Sequence, residues 1–226
     1  MMRPSSSQLC AALFVLATLP AGCSCSSKEN SGNGTDGSRT DGHGNAPSEP
    51  RPKLSTTAPG TFLMPAGARV GQWVERRHED RLAGRPWTER ISVVGEEGDE
   101  RWVEIREDRT APGHAVVTRL LVRPDGGVSR GLRGFSGEKG GALRFVPGPP
   151  PVAAEPDETF PGKETVTTRA GSFECSVEIY HFDSEERRVY RSASVPYDGV
   201  VKIVEAEQVV ELVAFGETGA ASELAE

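Results

Sequence analysis

Short stretches in which apolar and polar residues alternate recur from Thr61 to Gly216, and turn-forming residues separate them. In one such stretch Val103 and Ile105 alternate with charged neighbours. Successive side chains of a β-strand point to opposite faces, so a period of two is typical of strands with one buried face, whereas the helical period is scarce here. The sequence therefore predicts a single all-β domain over residues 61–216, built mainly from antiparallel strands.

The predicted strands follow one another closely, which favours an antiparallel meander. They cover residues 70–74, 87–93, 102–106, 116–122, 128–135, 142–146, 165–170, 173–181, 188–195, 200–205 and 208–215. The proline-rich stretch 147–161 cannot lie in a central strand, because proline has no N–H to donate. Only about 55 residues follow it, few for an independent fold, so we interpret it as an irregular connection within one domain. The small and acidic residues 217–226 predict a flexible tail.

Residues 1–22 have the features of a secretory signal peptide. Arg3 precedes the apolar run Leu9–Leu19, which is too short to span a bilayer as a helix. Residues 19–23, Leu-Pro-Ala-Gly-Cys, resemble a bacterial lipobox, with proline where leucine is usual. This resemblance implies cleavage before Cys23 and attachment of acyl chains such as palmitate to it, which would anchor the protein to a membrane. The alternative is an ordinary secretory signal that is cut close to Cys23.

The chain is rich in Gly and Pro, with 26 Gly and 17 Pro among 226 residues, against averages of roughly 7% and 5%. Part of this surplus lies in residues 24–60, where Leu54 is the only large apolar side chain. Such a segment cannot bury enough surface to offset the entropy of ordering it. We therefore predict that residues 23–60 comprise the lipidated cysteine and a disordered tether.

Few motifs in the sequence indicate a catalytic or ligand-binding site. None of the four His lies in a catalytic or metal-binding motif, and the sequence has no nucleophile elbow or clustered metal-ligand spacing. The acidic runs at 96–100 and 183–186 are interpreted as solvated hairpin turns. The glycine-rich stretch 126–141 is interpreted as a weak strand or a mobile flap, because no phosphate-loop pattern follows it. We expect no enzyme activity, no cofactor and no metal.

Charge and cysteine content limit the partners further. The net charge of −7 argues against nucleic acid as a partner. Cys175 is the only cysteine inside the predicted domain. We interpret it as a small buried residue on a strand, and pairing with Cys25 or with a partner chain is the alternative in an oxidising compartment.

Three segments carry a resemblance to a known superfamily. They are 168–175 (Thr-Arg-Ala-Gly-Ser-Phe-Glu-Cys), 194–202 (Ser-Val-Pro-Tyr-Asp-Gly-Val-Val-Lys) and 211–216 (Glu-Leu-Val-Ala-Phe-Gly). Together they resemble the C-terminal half of envelope proteins that are similar to the LolA/LolB lipoprotein-localisation superfamily. The resemblance implies a curved antiparallel sheet, an open half-barrel whose concave apolar face can hold acyl chains.

These observations lead to two functional hypotheses. The first is an envelope-anchored lipoprotein whose β domain binds a hydrophobic ligand, such as an acyl chain, or a lipoprotein partner, without catalysis. The second is a structural or accessory interaction subunit of an envelope assembly, with a filled core and no ligand. Ser24 after Cys23 favours the outer membrane, facing the periplasm. The candidate ligand-binding residues, which the second hypothesis assigns to the core, are Val177, Ile179, Val201, Ile203, Val209, Val213 and Phe215.

Overall fold

A computed structural model describes residues 51–81, 84–109, 114–149, 151, 153–182 and 185–225. Residues from Lys53 onward form one compact unit. The predicted signal peptide, Cys23 and the tether up to residue 50 lie outside the described residues. Within the described ranges there is no helix long and apolar enough to cross a membrane.

The described part of the chain forms thirteen strands and no helix, so the all-β prediction is confirmed. In the first half the strands are β1 (Thr57–Pro59), β2 (Trp73–Asp80), β3 (Trp87–Glu97), β4 (Glu100–Glu107), β5 (Val116–Val122), β6 (Val128–Phe135), β7 (Gly141–Ala142) and β8 (Arg144–Val146). In the second half they are β9 (Glu158–Thr168), β10 (Gly171–Phe182), β11 (Glu185–Arg191), β12 (Val200–Val204) and β13 (Gln208–Gly216).

Eleven strands form one curved antiparallel sheet in the order β7-β6-β5-β4-β3-β2-β13-β12-β11-β10-β9. The sheet consists of two meanders, and the pairing of β2 with β13 joins them in the middle. The sheet is open, with β7 and β9 as its two edges. The remaining strands, β1 and β8, form a separate parallel pair.

The proline-rich connection follows β8 and leads into β9. Because β9 lies at the opposite edge of the sheet from β7, this connection takes the chain from one meander to the other. Pro161 lies within β9, an edge strand, where a missing N–H is tolerated. The end of the predicted irregular stretch, residues 158–161, therefore belongs to a strand.

Two large apolar clusters form the core, and Ile91 of β3 packs against both of them. The buried members of the first cluster are Ala58, Phe62, Val103, Leu120, Val122, Val128 and Leu143. The buried members of the second cluster are Val74, Val166, Phe173, Cys175, Val195, Val201 and Leu212. A third, smaller cluster contains Tyr180, Val189 and Val200.

Both ends of the domain differ from the sequence prediction. Strand β1 lies in the stretch that was assigned to the tether, and Ala58 is buried in the first cluster. At the other end, the sequence predicts a flexible tail over residues 217–226, but in the described part, 217–225, Leu224 is buried and the segment is hydrogen-bonded to the sheet. The reason is the same in both cases: a single small or apolar side chain in a polar segment fits a pocket that only the folded sheet provides.

The glycine-rich stretch contains strand β6, which pairs with β5 on one side, with one register shift near Val128, and with β7 on the other. Gly131 serves close packing here, since a Cβ at this position would lie 2.8 Å from Cζ of Phe145 and 3.1 Å from Cδ2 of Leu120. The interpretation as a strand is therefore correct, and the glycines allow neighbouring segments to approach the sheet.

Candidate binding surfaces

A buried ion pair joins the two meanders. Arg76 of β2 is only 6% exposed, and its Nη2 donates to the Asp198 carboxylate in the loop between β11 and β12. The same carboxylate accepts the Val200 N–H at 3.0 Å. A charged group this deeply buried is costly unless it is paired. The pair therefore holds the loop of residues 192–199 against the sheet.

A second carboxylate lies directly beside Arg76 on the neighbouring strand. Glu89 of β3 is the cross-strand partner of Arg76, and its Oε2 lies 3.6 Å from Nε2 of His78. Burial raises the pKa of the Glu89 carboxyl, but the adjacent His78, Arg76 and Arg109 outweigh it and hold the pKa below its ordinary value. Glu89 is therefore an anion that these neighbours stabilise.

Aromatic stacking borders this ionic group. The His78 ring stacks on Trp87 with ring centroids 3.8 Å apart, and the Arg109 guanidinium lies 3.7 Å from the centroid of the Trp87 ring. Gln208 of β13 contacts Nδ1 of His78 at 3.1 Å. These contacts orient the imidazole beside Glu89.

The loop itself carries an unusual backbone conformation. Tyr197 has a φ of 69° and is the only non-glycine residue with positive φ in the described ranges, a conformation that costs a residue with a Cβ about 1–2 kcal/mol. Burial and the nearby Asp198 charge raise the pKa of the Tyr197 hydroxyl, so the side chain stays neutral. Arg191 adds a further tie, since its Nη1 donates to the Asp198 carbonyl at 2.6 Å and its Nε donates to Glu178 at 2.8 Å.

In this network Asp198, Glu89 and Glu178 each face an arginine. Such pairing suits a structural role, since each acidic group has its charge balanced locally. Sequence reasoning missed Arg76, although one signal was present. Arg76 is in phase with Val74, on the face of β2 that the alternation assigns to the core, and a charge in phase with core positions indicates a buried partner elsewhere.

The seven predicted ligand-binding residues do not line one surface. Val201 and Phe215 both belong to the second cluster, and Ile203 packs against the third. Val209 pairs with Glu79, whereas Phe215 pairs with Val74. Residues 74 and 79 of β2 are an odd number of positions apart and so point to opposite faces, which places Val209 on the other side of the sheet from Phe215.

The two candidates from β10 lie on the opposite face of the sheet from Ile203. Val177 pairs with Tyr190, while Ile203 pairs with Val189, the residue next to it on β11. Val177 and Ile179 are buried, but they are separated from Ile203 by the sheet. Val213 is the extra residue at an irregularity where β13 pairs with β2. Because one extra residue reverses the alternation, sequence phase alone does not group the β13 candidates on their correct faces.

A cleft of about 500 Å³ opens near one end of β10 and β11. Its lining combines one aromatic residue, Phe173, with the charged side chains of Lys163, Glu174 and Arg191. Lys163 donates to Glu174 at 2.9 Å. The hydroxyl groups that line the cleft come from Ser172, Ser176, Ser192 and Ser194. The cleft is therefore suited to a polar group, with Phe173 as its one large apolar surface.

Cys175 is fully buried in the second cluster and is a free thiol. Burial, reinforced by Glu164, raises the pKa of this thiol, and only the thiolate is an effective nucleophile. The interpretation as a small buried residue is confirmed. Among the described residues no group of three or more His, Cys, Asp or Glu is arranged to hold a metal ion.

No protein-family model matches this sequence. A search of curated proteins likewise finds no match. The functional proposals below therefore depend on the residues and contacts described above.

Proposed function

We propose that this protein is a lipoprotein of the bacterial envelope, anchored through Cys23, whose β domain binds another protein without catalysis. The observation that carries this proposal is the packing of the apolar core by the chain's own side chains. Phe62 and Ala58 fill the first cluster, while Val195 from the 192–199 loop packs into the second. A partner would therefore bind the outer surfaces of the sheet.

The anchor part of the proposal comes from the lipobox-like residues 19–23 and the polar stretch that follows them. Ser24 after the cysteine favours the outer membrane, with the domain facing the periplasm.

A hydrophobic ligand, such as an acyl chain, is the second candidate. The observation that favours it is the position of Phe173, which belongs to the second cluster and also lines the 500 Å³ cleft. An apolar chain in the cleft would have Phe173 as its one large apolar contact. The polar lining of the cleft makes this candidate weaker than a protein partner.

Native mass spectrometry of the full chain, purified from membranes in mild detergent, tests both the lipid anchor at Cys23 and the choice between a protein partner and a hydrophobic ligand. We expect a covalently acylated chain that begins at Cys23 and carries no further lipid. An additional lipid bound non-covalently to each chain would overturn the protein-binding proposal in favour of the second candidate. A Cys23→Ser variant is the matched control, and an acyl group on that variant would contradict the assigned anchor.

A further inference from the structure

The segment of residues 217–225 crosses the sheet after β13. Its first part is held by the loop before β2, where Glu217 accepts hydrogen bonds from Arg69 at 2.9 Å and from Gln72 at 2.8 Å. The Ala220 N–H donates to the Gly71 carbonyl at 3.0 Å. The second part, residues 221–225, reaches strands β4 and β6, and we call it the tail segment.

A buried carboxylate on β4 receives the tail segment. Glu104 is only 3% exposed. One of its oxygens accepts the Ser222 hydroxyl at 2.7 Å, and the other accepts the Glu223 N–H at 2.7 Å. A buried carboxylate needs such donors to offset its desolvation. The position thus recognises a hydroxyl and a backbone N–H from consecutive residues.

The side chains of Glu223 and Leu224 each have a defined site. Glu223 lies 3.0 Å from Nε of Arg106 and accepts the Ser136 hydroxyl at 2.7 Å. Leu224 is 5% exposed, and Cβ atoms added at Gly134 and Gly140 would lie 3.2 and 3.1 Å from its methyl carbons. The two glycines therefore form a pocket that fits a leucine.

The backbone of the tail segment adds to the turn after β6 in the manner of an extra strand. Gly137 donates its N–H to the Glu223 carbonyl at 2.8 Å, and Ala225 donates to the Glu138 carbonyl at 3.0 Å. Lys139 and Ala225 form a parallel bridge. Main-chain pairing combined with side-chain pockets is the usual way in which proteins bind extended peptides.

We propose that this surface is a peptide-binding site for an extended segment of another protein that carries a Ser-Glu-Leu pattern, and that the tail segment occupies it in cis. The pattern follows from the three recognition sites: Glu104 for the hydroxyl and N–H, Arg106 for the carboxylate, and the glycine pocket for the leucine. Gly219, with a φ of 89° and open space around it, lies just before the tail segment. The inference rests on the proposed function as a protein-binding domain and specifies the partner's chemistry.

The test uses the full chain with Leu224→Asp, which places a charge in the apolar pocket and releases the tail segment. A fluorescent peptide of residues 219–225 is titrated and its anisotropy is measured. We expect the variant to bind the peptide at least about tenfold more tightly than the unaltered chain, whose own segment competes at high effective concentration. Adding Glu104→Gln should weaken peptide binding about tenfold or more, whereas the matched control Glu174→Gln at the distant cleft should not.

A second version of the peptide-binding experiment avoids the substitution at position 224. A protease site is inserted after Ala220, the folded chain is cut, and exchange of the severed segment for the labelled peptide is followed. Exchange in the folded domain supports the proposal. The proposal is overturned if the cut domain stays folded and binds no peptide, if cutting unfolds it, or if the released variant only dimerises by exchanging its own segment. None of these results affects the mass spectrometry of Cys23 and bound lipid, so the two proposals fail separately.

Discussion

Arg76 and Asp198 are 122 positions apart in the sequence, and their buried ion pair connects the middle of the sheet to the loop that covers the second apolar cluster. Removing the Asp198 charge leaves the buried Arg76 guanidinium without its hydrogen-bonded carboxylate, so that only the neighbouring Glu89 balances its charge. We therefore expect Asp198→Asn to lower the free energy of unfolding by about 3–5 kcal/mol, as measured by urea denaturation.

A double-mutant cycle separates the pair from the rest of its surroundings. Arg76→Met removes the charge and keeps much of the side-chain volume, so Arg76→Met combined with Asp198→Asn should cost less than the sum of the two single changes. Strict additivity would show that the two groups do not interact, contrary to the structure.

From the lowered pKa of the Glu89 carboxyl we predict that the free energy of unfolding decreases in acid. Its pKa in the folded protein lies below the ordinary value of 4.5, so its contribution is fully present above pH 4.5 and is lost as the pH falls through the folded value. We expect Glu89→Gln to destabilise the domain at pH 7 and to reduce this acid dependence, as followed by urea unfolding from pH 7 to pH 3. Glu96→Gln is the control, since the Glu96 side chain is 63% exposed. An equal effect of both substitutions would contradict the assignment.

We predict that a methyl group added at Gly131 in β6 would clash with its neighbours. A methyl group there would lie 2.8 Å from Phe145 and 3.2 Å from the Arg119 carbonyl oxygen, so Gly131→Ala should lower the thermal midpoint, with a cost of about 1–3 kcal/mol. Gly141→Ala is the matched control, because its nearest neighbour would be 3.8 Å away. If both variants have the same thermal midpoint as the unaltered chain, this result would contradict the close contact between Phe145 of β8 and Gly131 of β6.

The buried Cys175 thiol predicts low reactivity. In a chain whose Cys10, Cys23 and Cys25 are replaced by serine, we expect a disulfide-exchange reagent at pH 8 to react slowly with the native protein and quickly in urea. The physical reason is that Cys175 is fully buried and its pKa is raised. Rapid reaction in the native state would instead indicate that the second cluster opens readily.

The alternation of the sequence predicted most strands because each strand buries one face. Strand β5 coincides with the predicted 116–122, and β13 (Gln208–Gly216) extends the predicted 208–215 by one residue. Strand β2 begins at Trp73 instead of at residue 70, because Gly71 adopts a φ of 97° in a turn. Local patterning thus places strands well and their ends less well.

The candidate binding residues were harder to predict, and the reason is also physical. The period of two along β13 places Val209 and Phe215 on the same face. The irregularity at Val213 reverses the alternation, so the two side chains lie on opposite faces. Glu104 and Ser222 have no sequence pattern that connects them, since their contact depends on how the tail segment crosses the folded sheet.

The sequence by itself determined that the described residues form antiparallel β-strands, because the period of two and the turn residues are local properties. It also supplied the anchor hypothesis at Cys23, which remains a prediction. Only the tertiary structure decided that β2 and β13 meet in the middle of the sheet, that Arg76 finds Asp198, and that residues 221–225 occupy a groove beside Glu104. These contacts join residues more than a hundred positions apart, and the geometry that brings them together exists only once the whole sheet has formed.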